Sequence, residues 1–452
     1  MTGSSLNMTE GSIMKKLIYF AVPVLIGNIF QQLYNVADTA IIGNILGDNA
    51  LAAVGAAAPV YSLMIGFANG LTNGFAVIIS RYFGADDSIS MKRSVSMTYI
   101  LSGIISIFLT AISLIVLRPL MTVLKTPENI IGDTVSYMKI IMIFSTVTIA
   151  YNMLAGMMRA VGNSKAPLYF LIISTFINIG LDILFIKFFG MGVSGAAYAT
   201  VISQGISVVL CFIYALKKCD FLIFKKSELQ WDKLLFSDLA ATGISMGAMY
   251  AIVSVGSVIL QGAVNSLGTN IITAHTAARK IDDIFMLPLA TISMAASTFI
   301  SQNYGAKKPD RVRKGIMCAL MLSTIWSIFS AFATIVFRRP IIQALTGTND
   351  AQVIASASEY IIWNISFFAV LGVLLTLRSS LQGLGRKIVP ISGSIVELIM
   401  KIVAAAVIAP MMGYFGICIL EPIIWALCSI MVLADYSVFM KKQLRQEKLS
   451  IV

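Results

Sequence analysis

A single histidine, His275, and five cysteines with no CxxC pair leave this sequence little from which to build a metal centre or a disulfide framework. The five (Cys211, Cys219, Cys318, Cys418 and Cys428) read as free side chains within or near apolar segments. Charge is equally scarce. Only 12% of the 452 residues are Asp, Glu, Lys or Arg, where a soluble domain carries about 25%. Acids are fewer than bases, 21 against 33. Long polar stretches are missing too, which leaves almost no chain for a separate soluble domain. The polar first twelve residues, MTGSSLNMTEGS, do not have the form of a cleavable signal peptide.

Apolar sequence fills the space. Hydrophobic residues make up 58% of the chain, and its mean hydropathy is +0.88. A crossing of the bilayer takes about 20 apolar residues, and twelve such segments are present. They predict an all-α polytopic membrane protein. The expected spans run from about 14–42, 49–80, 92–117, 129–157, 165–189 and 193–216 in the first half. In the second half they fall near 234–264, 270–303, 311–337, 351–381, 387–410 and 414–440. This divides the chain into an N-terminal tail (1–13), an N-lobe (14–216), a connector (217–233), a C-lobe (234–440) and a C-terminal tail (441–452).

The basic residues set an orientation. With the N-terminus inside, 24 of the 33 fall in cytoplasmic segments and five outside: Arg118, Lys125, Lys187, Arg338 and Arg339. The remaining four, Lys139, Arg279, Lys280 and Lys401, lie within spans. Such an excess is the positive-inside signature. The formal charge of +12 therefore points to anionic lipid and implies no nucleic acid. Both termini are expected in the cytoplasm, with the chain in the cytoplasmic (plasma) membrane.

The two halves echo each other. Leu46-Gly47-Asp48-Asn49 recurs as Leu267-Gly268-Thr269-Asn270, and Ile79-Ser80 with Gly84-Ala85 recurs as Ile300-Ser301 with Gly305-Ala306, all at an offset of 221. Gly162 and Pro167 return as Gly385 and Pro390 at 223. Matches holding one register across separate helices indicate a duplication. Six spans per half is an even number, so the halves share an orientation.

Intramembrane acids are costly unless they face a cavity or a partner. In the first span, Asn28, Gln31, Asn35 and Asp38 recur at helical spacings of three and four, predicting one polar face. In the fifth, Asn178 and Asp182 are four apart. Neither Asp38 nor Asp182 has a base within helical reach, and meeting each other is the economical arrangement. Two carboxylates in a dry pocket cannot both stay bare, so a proton or a cation must neutralise the pair. A sodium ion there would draw oxygens from Asn178 and Thr200. The alternative is that these acids only cap backbone groups or bond between helices. Other acids have local explanations: Glu397 pairs with Lys401 at i, i+4, and Glu421, just before Pro422, is expected to accept from a freed backbone group. His275 is expected to be a packing residue.

Taken together, the duplication, QQLYNVADT (31–39), the Arg159-Ala160-Val161-Gly162 turn and INIGLD (177–182) resemble the multidrug and toxic compound extrusion (MATE) transporters, over about residues 14–440. The resemblance implies two six-helix lobes forming a V, and export of cationic or amphipathic compounds against a sodium or proton gradient. Within the family the motif is similar to the DinF-like prokaryotic branch. That branch places an Asp on helix 1, an Asn and an Asp on helix 5 and a Thr on helix 6. Here these are Asp38, Asn178, Asp182 and Thr200, with Tyr137 as the hydroxyl that joins them. The NorM-like branch uses acids on helices 7 and 10, and the matching segments here, GISMGAMYAIVSVGSV (243–258) and VLGVLLTLRSS (370–380), have none. Coupling is therefore expected in the N-lobe, without a resident cofactor.

For substrate contacts, Gln31, Asn35 and Asn152 are candidates, with the chain's 24 Met and 25 Phe suited to adaptable apolar contact. Organic cations or drugs and the bilayer are the expected partners, and the expected state is a monomer. A flippase of lipid-linked oligosaccharide would share a two-lobe fold, but its cavity should be strongly cationic to hold a pyrophosphate. An enzyme has no support from so few nucleophile and base residues.

Overall fold

A computed structural model describes residues 6–124, 126–223 and 231–451, with the side chains of 123, 220 and 443–451 left aside. Lys125, residues 224–230 of the expected connector (with Lys225 and Lys226), the first five residues of the N-terminal tail and the side chains of Arg445 and Lys448 lie outside this description. Among the described residues the chain is helical and has no strands. Helix is what an apolar segment must form in lipid, because its backbone groups have no water to bond and must bond each other.

The helices are α1 (Ile13–Leu46), α2 (Asp48–Gly84), α3 (Ser88–Val123), α4 (Glu128–Ile143), α5 (Ser145–Ala160), α6 (Lys165–Asp182) and α7 (Gly192–Lys218). The second half has α8 (Lys233–Asn265), α9 (Thr269–Gly305), α10 (Pro309–Thr346), α11 (Ala351–Ser366), α12 (Phe368–Gly383), α13 (Ile388–Val403) and α14 (Ala409–Ile451). Pairs α4/α5 and α11/α12 are each one broken span, bent by 50° and 49°. The run Ile388–Lys442 has 55 residues, about 80 Å of helix. That is more than twice the hydrocarbon thickness. It divides at Gly413, whose φ of 61° and ψ of −144° are not helical. Eight single helices, two bent pairs and one divided run make twelve spans among the described residues, as the sequence predicts.

Backbone irregularities carry the duplication more plainly than side chains do. Positive φ recurs at Gly47 and Gly268 (84° and 95°), at Gly192 and Gly413 (59° and 61°), and at the non-glycine pair Asp86 and Lys307 (56° and 54°). All three pairs are 221 apart. Gly162 and Gly385 (83° and 81°) are 223 apart, as are the breaks at Phe144 and Phe367. Short π-helical turns follow α6 and α13, at Ile183–Phe188 and Ala404–Ile408. Such features are not demanded by apolar composition, so their shared register reflects common ancestry of the halves.

The chain forms two compact units, Met1–Glu10 with Tyr19–Gly247, and Gly11–Ile18 with Ala248–Val452. The first therefore runs past the expected connector and takes in the first half of α8. Glycines explain it. A Cβ on Gly74 would lie 2.7 Å from the Cα of Gly243, and Gly70 faces the Met246 carbonyl as tightly. Gly70 and Gly74 on α2 meet Gly243 and Gly247 on α8, each pair four apart, so the two backbones pack without side chains between them. The start of the chain is also tied down. The Leu6 N–H donates to the Val161 carbonyl at 3.2 Å, and Met8 is fully buried. Gly162 sits against the Leu6 carbonyl, where any side chain would collide.

Candidate functional site

Two turns of α1 carry the buried stripe Tyr34, Asp38 and Ile42, spaced by four. Of the expected polar face, Asn28 and Gln31 are half-buried, Asn35 is exposed and Asp38 alone is buried. On α6 the buried stripe is Ser174, Asn178 and Asp182, again spaced by four, and the last two have no solvent exposure. The Ser174 hydroxyl donates to the Ser203 carbonyl at 2.9 Å, which fixes α6 against α7. The Tyr34 hydroxyl donates to Thr200 Oγ1 at 2.9 Å, which fixes α1 against α7. The π turn begins immediately after Asp182. Turns of this kind concentrate at functional positions, since the extra residue re-aims the side chains beside it.

These ties bring the two acids together. The carboxyls of Asp38 and Asp182 are close enough to act on each other electrostatically. Ionised carboxylates only accept hydrogen bonds, so the contact is attractive only with a proton or a cation between them. Neither acid has an ion-pair partner among the described residues. Buried and without a hydrogen-bond partner are Asp38 Oδ1, both oxygens of Asp182, and both Oδ1 and Nδ2 of Asn178. Tyr137, buried on α4, and Tyr61, half-buried on α2, lie within electrostatic range of Asp38, as does Tyr34. The five expected residues Asp38, Tyr137, Asn178, Asp182 and Thr200 thus belong to one buried cluster on α1, α4, α6 and α7. Tyr34 and Tyr61 join it unannounced. Tyr34 had a signal, its i, i+4 spacing from Asp38; Tyr61 had none. Gln31 and Asn152 are half-buried, and Asn35 only accepts from Thr39 through its carbonyl.

A second buried polar network lies in the C-terminal unit. Lys401 Nζ is 2.8 Å from Glu397 Oε1 and 3.2 Å from Glu421 Oε1. Arg279 Nη1 is 3.7 Å from the same Glu421 oxygen and donates to the Tyr360 hydroxyl at 3.5 Å. Glu421 therefore takes two side-chain cations, in place of the backbone donor expected beside Pro422. His275 packs edge-on to Tyr360, and its Nδ1 lies 3.4 Å from the Tyr414 hydroxyl.

The MatE family profile matches residues 23–184 and, 223 residues later, 246–407. The chain belongs to the MATE family. Among curated MATE relatives it is 28% identical to the probable multidrug resistance protein YpnP of Bacillus subtilis (strain 168), over 84% of each chain. It is 22% identical to the multidrug export protein MepA of Staphylococcus saprophyticus, over 92% of this chain and 91% of that one. A solved outward-facing multidrug resistance MATE transporter of the MOP superfamily superposes over the full length of both chains, with a TM-score of 0.88 and 20% identity. MATE proteins are transporters, and this chain is a multi-pass member of that family.

Proposed function

We propose that this MATE transporter is a secondary antiporter that exports organic cations or amphipathic drugs in exchange for Na+ or H+, coupled through Asp38 and Asp182. The observation that carries this reading is the set of five unpartnered polar atoms on Asp38, Asn178 and Asp182. Buried polar atoms are left unpaired rarely, because each costs about 1–3 kcal/mol. A cluster of them, rich in oxygen and without a base, is suited to hold a small cation or a shared proton.

Loading removes the repulsion between the acids and lets α1 and α6 close on each other. Emptying the site drives them apart. A cation that binds one arrangement better than the other shifts the populations of the transporter's states by that difference, and cargo binding is then coupled to it reciprocally. Tyr137, Asn178 and Thr200 supply the remaining oxygens of the site. Gln31, Asn35 and Asn152 are proposed as polar contacts for cargo. The protein works as a monomer in the cytoplasmic membrane with both termini inside, a placement supported by the basic-residue asymmetry.

The test is efflux of a fluorescent organic cation from vesicles carrying the purified protein, driven by a sodium gradient alone or a pH gradient alone. Asp38→Asn and Asp182→Asn are each expected to abolish gradient-driven efflux while thermal unfolding stays cooperative. Full efflux by either variant refutes the assignment.

A further inference from the structure

The duplication gives each residue of the carboxylate site a counterpart in the C-terminal unit. Counting from the shared proline (Pro167, Pro390), Lys401 on α13 occupies the place of Asn178 on α6. Counting from the shared break (Phe144, Phe367), Tyr360 occupies the place of Tyr137. From the positive-φ glycines Gly192 and Gly413, Glu421 occupies the place of Thr200. Ile259 stands in register with Asp38, and Ala405, in the register of Pro390, with Asp182. The unit with two exchange-competent acids is thus matched by one in which those acids are apolar.

Lys401 is 98% buried, and its ammonium sits between Glu397 and Glu421. Room for its stem is built in. A Cβ on Gly256 would lie 2.9 Å from Lys401 Cδ. Within this network Lys401 and Arg279 match Glu397 and Glu421 in formal charge, and Asp282 and Asp283 lie within electrostatic range of Arg279 and Glu421. We propose that the C-terminal unit holds a second cation site, in register with the carboxylate site, whose permanent occupant is the Lys401 ammonium. When the stem is cut back, the site takes a free primary ammonium ion. The inference rests on the reading of Asp38 and Asp182 as the exchangeable site. It adds that the transporter couples through one exchangeable cation and keeps the other on a tether.

The experiment is chemical rescue of Lys401→Ala in detergent-purified protein, with ethylammonium chloride as the probe and tetramethylammonium chloride as the control for charge and ionic strength. Removing one partner from a buried ion pair is strongly destabilising, so the variant should melt about 5 °C or more below the parent. Ethylammonium should recover at least half of that loss with saturable dependence, tetramethylammonium should not, and the parent should respond to neither. Lys401→Ala/Glu421→Gln should lose the response, because the acceptor for the ion is gone. If Lys401→Ala fails to fold, Lys401→Ala/Gly256→Ala, with the vacated stem partly filled, is measured with the same probes. Equal responses to both salts, or to ethylammonium by parent and variant alike, overturn the proposal. So does failure of ethylammonium to raise the melting temperature of whichever variant folds. Rescue is also expected in an Asp38→Asn background, where coupled efflux is absent. Rescue together with intact efflux in that background would sink the N-terminal coupling assignment and leave the ammonium site standing.

Discussion

Tyr34 separates the roles of single residues in the carboxylate cluster. Its hydroxyl donates to Thr200 Oγ1 beside Asp38, and it is itself 6% exposed. Tyr34→Phe removes that donor, a change of about 1 kcal/mol, and frees the threonine oxygen to turn toward the acids. We expect coupled efflux to persist, with the cation concentration for half-maximal rate shifted about five- to tenfold. An unchanged concentration dependence would show that the hydroxyl only ties α1 to α7. Asp38 and Asp182 were legible in the sequence because an acid inside an apolar segment has no local explanation there. Tyr34 was less so, since tyrosine is common in such segments and only its spacing from Asp38 marks it. Glu421 was misread because its partners, Lys401 and Arg279, are 20 and 142 positions away, and only the fold brings them together.

At the scale of elements, two helix features carry testable energies. Gly74 on α2 meets Gly243 on α8 with no space for a side chain. Gly74→Leu must push the backbones apart, and we expect at least about 3 kcal/mol of destabilisation, read as a lowered melting temperature. A melting temperature equal to the parent's would contradict the close approach. Just past the C-terminal end of α2, Asp87 caps α3 by accepting from the Ser90 N–H at 3.0 Å. Hydrogen bonds from Ser90 hold its carboxyl below the usual carboxylate range. A depressed acid stabilises the fold above its unfolded pKa of about 3.9, and that contribution is lost as pH falls through the folded value. Asp87→Ala should cost about 1 kcal/mol at neutral pH, with the difference from the parent closing as pH falls through the depressed folded value. Helix number and order were readable from hydropathy. The bends at Phe144 and Phe367 were not, because neither break has a proline or glycine at it. The π turn after Asp182 likewise leaves no mark in composition.

At the scale of the whole molecule, the duplicated half is the frame on which two different sites were built. Six spans recur with their irregular turns in register, and the offset of 221 to 223 was already visible in short glycine and proline echoes. The sequence did not disclose that the first compact unit extends to Gly247. Hydropathy sees α8 as one uniform segment, whereas the glycine contacts with α2 involve only its first half. One half keeps Asp38 and Asp182 without bases, and in the other Glu397 and Glu421 are paired with Lys401 and Arg279. Exchange is therefore assigned to the half that has no built-in counter-ion.

The most direct measurement of that assignment is counterflow. Vesicles carrying the protein are given a gradient of organic cation and no sodium or pH gradient, and internal pH and sodium are followed with separate dyes. Cargo moving down its gradient should drive one of the two ions the opposite way in the parent, and neither in Asp182→Asn. Cargo-driven ion movement of parental size in Asp182→Asn, or none in the parent while cargo still moves, would contradict coupling through the carboxylate pair.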